Sequence, residues 1–173
     1  MEYQKTTSYG FISGVYFRKI LKEIINLGNL YQSDKTILDF GCGSGELKKI
    51  LKKSNINVVN YDLKPEYSEI SDWREVKVDI FVANQVFYTF SKEELSSLLE
   101  ELKELFPNLL LIIGISKQKF INRLGAFLLL QFDAHKNTRL TLDLEKKIIE
   151  NYAQEIQSIS VYGLTEVILY KFK

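Results

Sequence analysis

The chain has 173 residues, of which 46% are hydrophobic and 26% are charged, and its formal net charge is +1. This composition excludes a disordered chain and predicts a single domain over residues 1–173, with residues 1–30 as an N-terminal helical cap. The small net charge gives no strong signal for nucleic acid as a partner. Because the chain has one cysteine, Cys42, and one histidine, His135, an intrachain disulfide is excluded and no metal site of several such ligands is expected.

The first ten residues, MEYQKTTSYG, are polar and do not resemble a secretory signal peptide. The longest apolar stretches, residues 109–115 and 126–130, are too short to span a bilayer. We therefore expect no transmembrane segment, and the cytoplasm is the default location.

Hydrophobic periodicity and turn residues predict the following elements in chain order. The first half contains a helix over 10–27 stopped by Gly28, a strand over 36–40, a helix over 44–53, and strands over 56–62 and 78–84. A helix then starts at a capping box of Ser91 and Glu94 and is halted by Pro107, and a buried strand over 108–116 follows it. Thr141 or Asp143 opens a further helix, and two terminal strands have Gly163 near their turn. Strands that alternate with helices and end in a hairpin predict an α/β fold with an open, mostly parallel sheet.

A glycine-rich turn follows the first predicted strand, in ILDFGCGSGEL at residues 37–47. Open parallel sheets bind ligands beyond the carboxyl ends of their strands, which is where this turn lies. Gly41, Gly43 and Gly45 are spaced G-x-G-x-G, and Glu46 stands where the dinucleotide fingerprint has its third glycine. Glu46 and Asp39 would repel a pyrophosphate, and the G-K-[ST] of a P-loop is absent. A ligand with a cationic portion and an adenosine fits better, while a turn that binds nothing is the simpler alternative.

With this turn the sequence resembles the class I S-adenosylmethionine-dependent methyltransferases, whose first motif LDFGCGSG matches closely. The resemblance extends from Thr36 through the C-terminal hairpin. It implies a seven-stranded, Rossmann-like sheet of order 3-2-1-4-5-7-6 with a C-terminal antiparallel hairpin. It also implies S-adenosyl-L-methionine as cofactor and an enzyme that transfers its methyl group.

The resemblance places the methionine end of the cofactor at the glycine turn, beside Asp39. The implied cofactor contacts in the turn are Gly41, Cys42, Gly43 and Gly45. Cys42 is interpreted as a small buried filler and not as a nucleophile.

The adenosine end is implied to lie at the next strand. Asp62 would accept hydrogen bonds from both ribose hydroxyls, and Leu63 would pack on the adenine. Asp72 in SDW at 71–73 would accept from the adenine amino group, with Trp73 beside the ring. A solvated strand-end acid is the simpler interpretation of Asp62.

The sequence departs from the family at two places. Fifteen residues, 63–77, separate Asp62 from the strand that begins at Val78, so the second helix and third strand must be abbreviated. Asn84 and Gln85 end that strand, where the family faces the transferable methyl group. They stand in ANQVFYTF and not in the NPPY-type motif of amino-methylating nucleic-acid enzymes, which argues against adenine-N6 methylation.

Residues near the acceptor are less well defined. His135, two residues after Asp133, is the candidate catalytic general base, with a surface position as the alternative. Residues 117–132 mix basic and apolar side chains, which is typical of a lid for a lipid-linked or hydrophobic acceptor or of a helix that packs on the sheet. The aromatic residues near the N-terminus could cap the active site or join the core: Tyr9, Phe11, Tyr16 and Phe17.

The function predicted from these observations is methyl transfer from S-adenosylmethionine to an oxygen or nitrogen of a small-molecule, lipid-linked or glycan acceptor. A non-catalytic, cofactor-binding partner subunit is the first alternative, because 63–77 is short and no convincing general base is evident. Nucleic-acid methylation is the second alternative. The sequence does not indicate an oligomeric state.

Overall fold

The computed structural model describes residues 11–32, 34–54, 56–117 and 140–173. The helices in these residues are α1 (Phe11–Leu27), α2 (Glu46–Leu51), α3 (Lys92–Leu105) and α4 (Leu142–Tyr152). The strands are β1 (Ile37–Phe40), β2 (Val58–Tyr61), β3 (Ile80–Asn84), β4 (Leu110–Ser116), β5 (Ala153–Val161) and β6 (Thr165–Phe172). Two short 3-10 helices, Trp73–Glu75 and Phe87–Thr89, follow β2 and β3 respectively.

The strands form one sheet of order β2-β1-β3-β4-β6-β5. The first four strands in this order are parallel, and β6 runs antiparallel to both β4 and β5. This architecture confirms the predicted α/β class with a terminal antiparallel hairpin. The described residues contain six strands and not the implied seven, because the third strand of the order 3-2-1-4-5-7-6 is missing.

The segment between β2 and β3 confirms the expected abbreviation and shows what replaces the strand. The Glu69 N–H donates to the carbonyl oxygen of Asn60 at 2.9 Å, and Glu69 Oε2 accepts from the Asn60 N–H at 3.0 Å. Lys48 Nζ of α2 donates to the same carboxylate at 2.6 Å. Glu69 thus makes hydrogen bonds with both the N–H and the carbonyl oxygen of Asn60 at the outer edge of β2. Because these two backbone groups are occupied, a further strand cannot pair with them.

Both faces of the sheet are buried under helices. Phe81 and Leu111 belong to a hydrophobic cluster shared with α3 and α4, whereas their neighbours Val82 and Ile112 belong to a cluster shared with α1 and α2. Successive residues of a strand point to opposite faces, so strands covered on both sides need nearly continuous apolar sequences. This explains the apolar runs in β3 and β4.

Local signals set most of the helix ends. The predicted capping box is present, since Ser91 Oγ accepts from the Glu94 N–H at 3.1 Å and Glu94 Oε2 accepts from the Ser91 N–H at 2.6 Å. Of the two predicted starts for α4, Thr141 is the N-cap, and its Oγ1 accepts from the Leu144 N–H at 3.4 Å. Gly163 lies in the turn between β5 and β6 with a φ of 69°.

Gly28 follows the end of α1 at Leu27 as predicted, and its surroundings add a packing constraint. The left-handed residue at this helix end is Asn29, with a φ of 48°. A Cβ on Gly28 would lie 2.4 Å from Ile112 Cδ1 and 2.6 Å from Leu30 Cδ2, both on fully buried side chains. A side chain at this position would therefore force the buried Ile112 and Leu30 side chains to move.

We expect Gly28→Ala to lower the free energy of unfolding by about 1–3 kcal/mol, the usual cost of overpacking a core. Gly14→Ala in the same helix is the matched control, because its new Cβ would come no closer than 3.5 Å to Arg18. The control should raise stability by about 0.5–1 kcal/mol, because alanine favours helix over glycine. Urea unfolding measures both changes, and a Gly28→Ala variant as stable as the wild type would contradict the assigned role.

Candidate active site

The glycine turn lies at the carboxyl edge of the sheet, directly after β1. Its three glycines have left-handed φ values of 71° at Gly41, 52° at Gly43 and 70° at Gly45. A Cβ on Gly41 would lie 2.5 Å from Val86 Cγ2, and one on Gly45 would lie 2.6 Å from Asn60 Nδ2. In the described part of the chain no heavy atom lies within 4 Å of a Cβ placed on Gly43. Packing therefore excludes side chains at two positions, while the backbone at Gly43 stays open to a ligand.

Asp62 is held by the same turn. The Gly43 N–H donates to Asp62 Oδ2 at 3.0 Å, and the Lys64 N–H donates to Asp62 Oδ1 at 3.0 Å. Each carboxylate oxygen has a second lone pair that can accept a hydroxyl hydrogen. The next residue, Leu63, is 84% exposed. The arrangement thus combines an oriented carboxylate with an uncovered apolar side chain, the two features that the ribose and adenine predictions require.

Asp39 on β1 is the most perturbed acid near the turn. It is only 6% exposed. Burial, together with the negative charge of Asp62, raises the pKa of Asp39 to about 7. A cationic ligand group placed nearby would favour the ionised form of this carboxyl.

Cys42 is unsuited to nucleophilic chemistry. Its thiol donates to the carbonyl oxygen of Tyr67 at 3.4 Å, and its N–H donates to that of Tyr61 at 3.1 Å. Burial, with the nearby charges of Asp39 and Asp62, raises the pKa of the thiol to about 12. The neutral thiol has little nucleophilicity, which supports the interpretation of Cys42 as a filler.

Asp72 and Trp73 occupy the 3-10 helix in the abbreviated segment. Asp72 Oδ1 accepts from the Arg74 N–H at 3.0 Å and from Arg74 Nη1 at 2.9 Å, and these bonds hold the pKa of Asp72 below its usual value. Trp73 is 3% exposed, with its ring 6.5 Å from that of Phe40 and the Arg74 guanidinium 4.7 Å above it. Trp73 therefore offers little free area to an adenine, and the adenine roles of both residues stay predictions.

Asn84 and Gln85 lie beside the turn at the end of β3. Val82 of this strand pairs with Asp39, which brings the residues after it alongside the glycines. Gln85 has a left-handed φ of 57°, and its N–H donates to the carbonyl oxygen of Gly114 at 2.8 Å. Asn84 Oδ1 is buried, and the described residues offer it no hydrogen-bond partner. The two amides are thus placed next to the predicted methionine site.

Four polar residues meet beyond Asn84, and we name them the strand-end cluster: Tyr16, Gln85, Ser116 and Thr165. Thr165 Oγ1 lies 2.5 Å from the Tyr16 hydroxyl and 3.2 Å from Ser116 Oγ, and it accepts from Gln85 Nε2 at 3.4 Å. Sequence reasoning missed Ser116 and Thr165, and it treated Tyr16 only as a cap or core residue. No local motif marks these positions, because β4–β6 pairing brings them together.

Some predictions fall outside the described residues. These are His135 with Asp133, the segment 117–132 apart from Lys117, and Tyr9. Lys117 Nζ lies 3.1 Å from Glu166 Oε1. In the described ranges, no helix is long and apolar enough to cross a membrane, and no group of side chains is arranged to hold a metal ion.

Comparison with known proteins decides the family. The sequence profile of the family described as "Methyltransferase domain" matches residues 14–120, more than half of the chain. The chain belongs to this family. The resemblance to class I S-adenosylmethionine-dependent methyltransferases is thereby confirmed. No curated protein sequence matches the chain.

Solved structures with the same fold are distant in sequence. The PH0226 protein from Pyrococcus horikoshii OT3 is 15% identical, with 95% of each chain covered and a TM-score of 0.69. Magnesium protoporphyrin IX methyltransferase (ChlM) from Synechocystis PCC 6803, solved with bound SAH, is 15% identical, covering 98% of this chain and 90% of that one with a TM-score of 0.65. The small RNA methyltransferase HEN1 is 15% identical with a TM-score of 0.66, but the match covers 27% of its chain. These similarities show a shared fold.

The buried Asp39 predicts a pH-dependent stability difference. Its pKa is about 7 in the folded chain against 3.8 for an ordinary aspartate, so over this range the folded state retains a proton that the unfolded state releases. Its contribution to stability is present below about pH 4 and is lost as the pH rises through about 7. Asp39→Asn removes this titration, and its stability relative to the wild type should rise by up to about 4 kcal/mol between about pH 4 and about pH 8.

Urea unfolding at the two pH values measures this difference. Asp34→Asn is the control, because Asp34 is an exposed acid whose replacement should give a small and nearly constant difference. An Asp39→Asn effect that does not change with pH would contradict the role of burial.

Proposed function

We propose that this chain transfers a methyl group from S-adenosylmethionine to an oxygen or nitrogen of a small-molecule, lipid-linked or glycan acceptor. The observation that carries the proposal is the hydrogen bond from the Gly43 N–H to Asp62 at 3.0 Å. It joins an open stretch of backbone to an oriented carboxylate, so one turn can hold both the methionine and the ribose portions of the cofactor.

The residues present fit this cofactor. Asp39 is a buried carboxyl with a raised pKa, and a cationic group can stabilise its ionised form. Asp62 has acceptor capacity for the ribose hydroxyls, and Leu63 offers apolar surface for the adenine. When bound, the cofactor supplies a methyl group made electrophilic by the positive sulfur.

The chain contributes alignment more than acid–base chemistry. Gly41 and Gly43 let the backbone approach the ligand, while Asp39 and Asp62 orient it from two strands. Asn84 and Gln85 lie at the end of β3, on the other side of β1 from Asp62, where an acceptor atom can be aligned with the methyl carbon. Correct alignment of two reactants can supply a large share of a rate enhancement, so a strong general base is not required.

The acceptor class is supported by indirect observations. The net charge of +1 and the absent NPPY-type motif disfavour a nucleic-acid substrate. ChlM, which matches over nearly all of both chains, is by its name a methyltransferase of a small molecule. HEN1 is by its name an RNA methyltransferase, and for this reason nucleic acid is included in the test below.

Transfer of a radiolabelled methyl group tests the function. The protein is incubated with S-adenosylmethionine carrying a tritiated methyl and a cell extract that is then divided into small-molecule, lipid, glycan and nucleic-acid fractions. We expect label in the small-molecule, lipid or glycan fraction. Label in nucleic acid would overturn the acceptor class, and absence of calorimetric binding of S-adenosylmethionine to the folded protein would overturn the whole proposal. Binding without transfer, relieved by adding a second protein, would indicate a partner subunit.

Leu63→Ser provides a separate test of the adenine contact. Because Leu63 is 84% exposed, its replacement should leave the fold intact while removing apolar area that the ligand covers. We expect affinity for S-adenosylhomocysteine to fall about fivefold, which corresponds to about 1 kcal/mol of lost apolar burial. Leu105→Ser, at an exposed leucine on α3, is the control and should bind normally. Equal affinities for both variants in calorimetry would show that the ligand does not cover Leu63.

A further inference from the structure

We propose that the strand-end cluster is the acceptor-binding wall of the active site and that the Tyr16 hydroxyl positions the acceptor by a hydrogen bond. The inference rests on the proposed function and extends it, because it names the residues and the chemistry that recognise the second substrate. The cluster draws its members from α1, the end of β3, the end of β4 and the start of β6.

The position of the cluster relative to the turn comes from the strand order. β2, which carries Asp62 at its end, lies on one side of β1, and β3, β4 and β6 follow on the other side. Gln85 precedes Val86, whose Cγ2 is 2.5 Å from a Cβ placed on Gly41. A ligand with its ribose at Asp62 and its methionine end at the turn would therefore lie across the end of β1, with the methionine end nearer to Gln85 and the cluster.

Hydrogen-bond capacity determines which members can bind a further group. A threonine hydroxyl has one hydrogen and two acceptor sites, and three neighbours surround Thr165 Oγ1. Thr165 is fully buried and has no capacity left, so it acts as the hub that fixes the other three side chains. The Tyr16 hydroxyl retains either its hydrogen or an acceptor site, depending on which partner donates to Thr165. Tyr16, Gln85 and Ser116 are each partly exposed and can contact a ligand.

The chemistry of the cluster indicates the kind of acceptor that it suits. Its members are hydroxyls and an amide, with no formal charge among them. Burial raises the pKa of Tyr16, so the phenol stays protonated at neutral pH. Neutral donors and acceptors of this kind select a polar but uncharged group, such as a hydroxyl or an un-ionised amine. A carboxylate or an ammonium ion would lose more hydration free energy on binding here than hydrogen bonds to neutral partners would restore.

The reaction at this wall needs no further reagent. The lone pair of the acceptor oxygen or nitrogen forms the new bond to the methyl carbon, and the electron pair of the broken carbon–sulfur bond remains on sulfur. The proton of the acceptor then passes to solvent water. Tyr16 holds the acceptor atom in line during this exchange.

Tyr16→Phe removes the hydroxyl and keeps the ring, and Tyr31→Phe, at an exposed tyrosine, is the matched control. The probe is the extract fraction that takes up label from tritiated S-adenosylmethionine with the wild-type protein. We expect Tyr16→Phe to slow labelling about tenfold in dilute fraction and to approach the wild-type rate as the fraction is concentrated, as loss of one hydrogen bond to the acceptor predicts. Calorimetric affinity for S-adenosylhomocysteine should be unchanged, and the control should behave as the wild type.

The outcomes separate the inference from the proposed function. If the wild type binds the cofactor and labels the fraction, but Tyr16→Phe labels it equally fast at every dilution, the acceptor role is overturned and the function stands. Loss of cofactor affinity in Tyr16→Phe overturns the role as well, because Tyr16 would then belong to the cofactor site. Failure of the wild type to transfer label overturns the proposed function itself. Urea unfolding confirms that Tyr16→Phe is folded, since Thr165 keeps Gln85 and Ser116 as partners.

Discussion

The hydrogen bond from the Gly43 N–H to the Asp62 carboxylate is the contact on which the rest of the site depends. It ties the turn after β1 to the end of β2, and the Lys64 N–H fixes the second carboxylate oxygen. Two backbone N–H groups orient this acid, and they leave lone pairs for a ligand. The left-handed backbone at Gly43 makes the bond compatible with an open surface, because in the described residues no heavy atom lies within 4 Å of a Cβ placed on Gly43.

Asp39 adds an electrostatic constraint to this geometry. A carboxyl buried at the centre of a sheet is costly to ionise, and the proximity of Asp62 increases that cost. A cationic ligand would lower the free-energy cost of ionising Asp39. Ionisation of Asp39 and binding of such a ligand would therefore favour each other. Functional sites commonly retain such locally unfavourable groups, which the surrounding core supports.

The two sides of the glycine turn are built differently. On the β2 side the fold is reduced, and a single residue, Glu69, closes the sheet edge where a further strand would pair, through its backbone N–H and its carboxylate. On the β3 side four elements bring together a neutral polar cluster around the buried Thr165. The side proposed for the cofactor thus needs little more than the turn and Asp62, whereas the side proposed for the acceptor requires α1 and the C-terminal hairpin. The specificity proposed here lies in that second side.

Helix α1, the strands, the capping box of α3 and the glycine turn were all predictable from the sequence, because each depends on residues a few positions apart. The same holds for Asp62, which follows its strand directly. Gly28 follows the helix end as predicted, but its close packing against Ile112 was not predictable, because Ile112 belongs to a strand distant in sequence.

Only the tertiary structure revealed the replacement of a strand by Glu69, the burial of Trp73 and the meeting of Ser116 with Thr165, which are 49 positions apart. The sequence by itself determined the family, the turn and the methyl donor that the family implies. The tertiary structure decided how the sheet ends and which polar side chains meet in the cluster proposed to bind the second substrate. The physical reason is that strand pairing and helix packing bring together residues whose separation along the chain follows no local period.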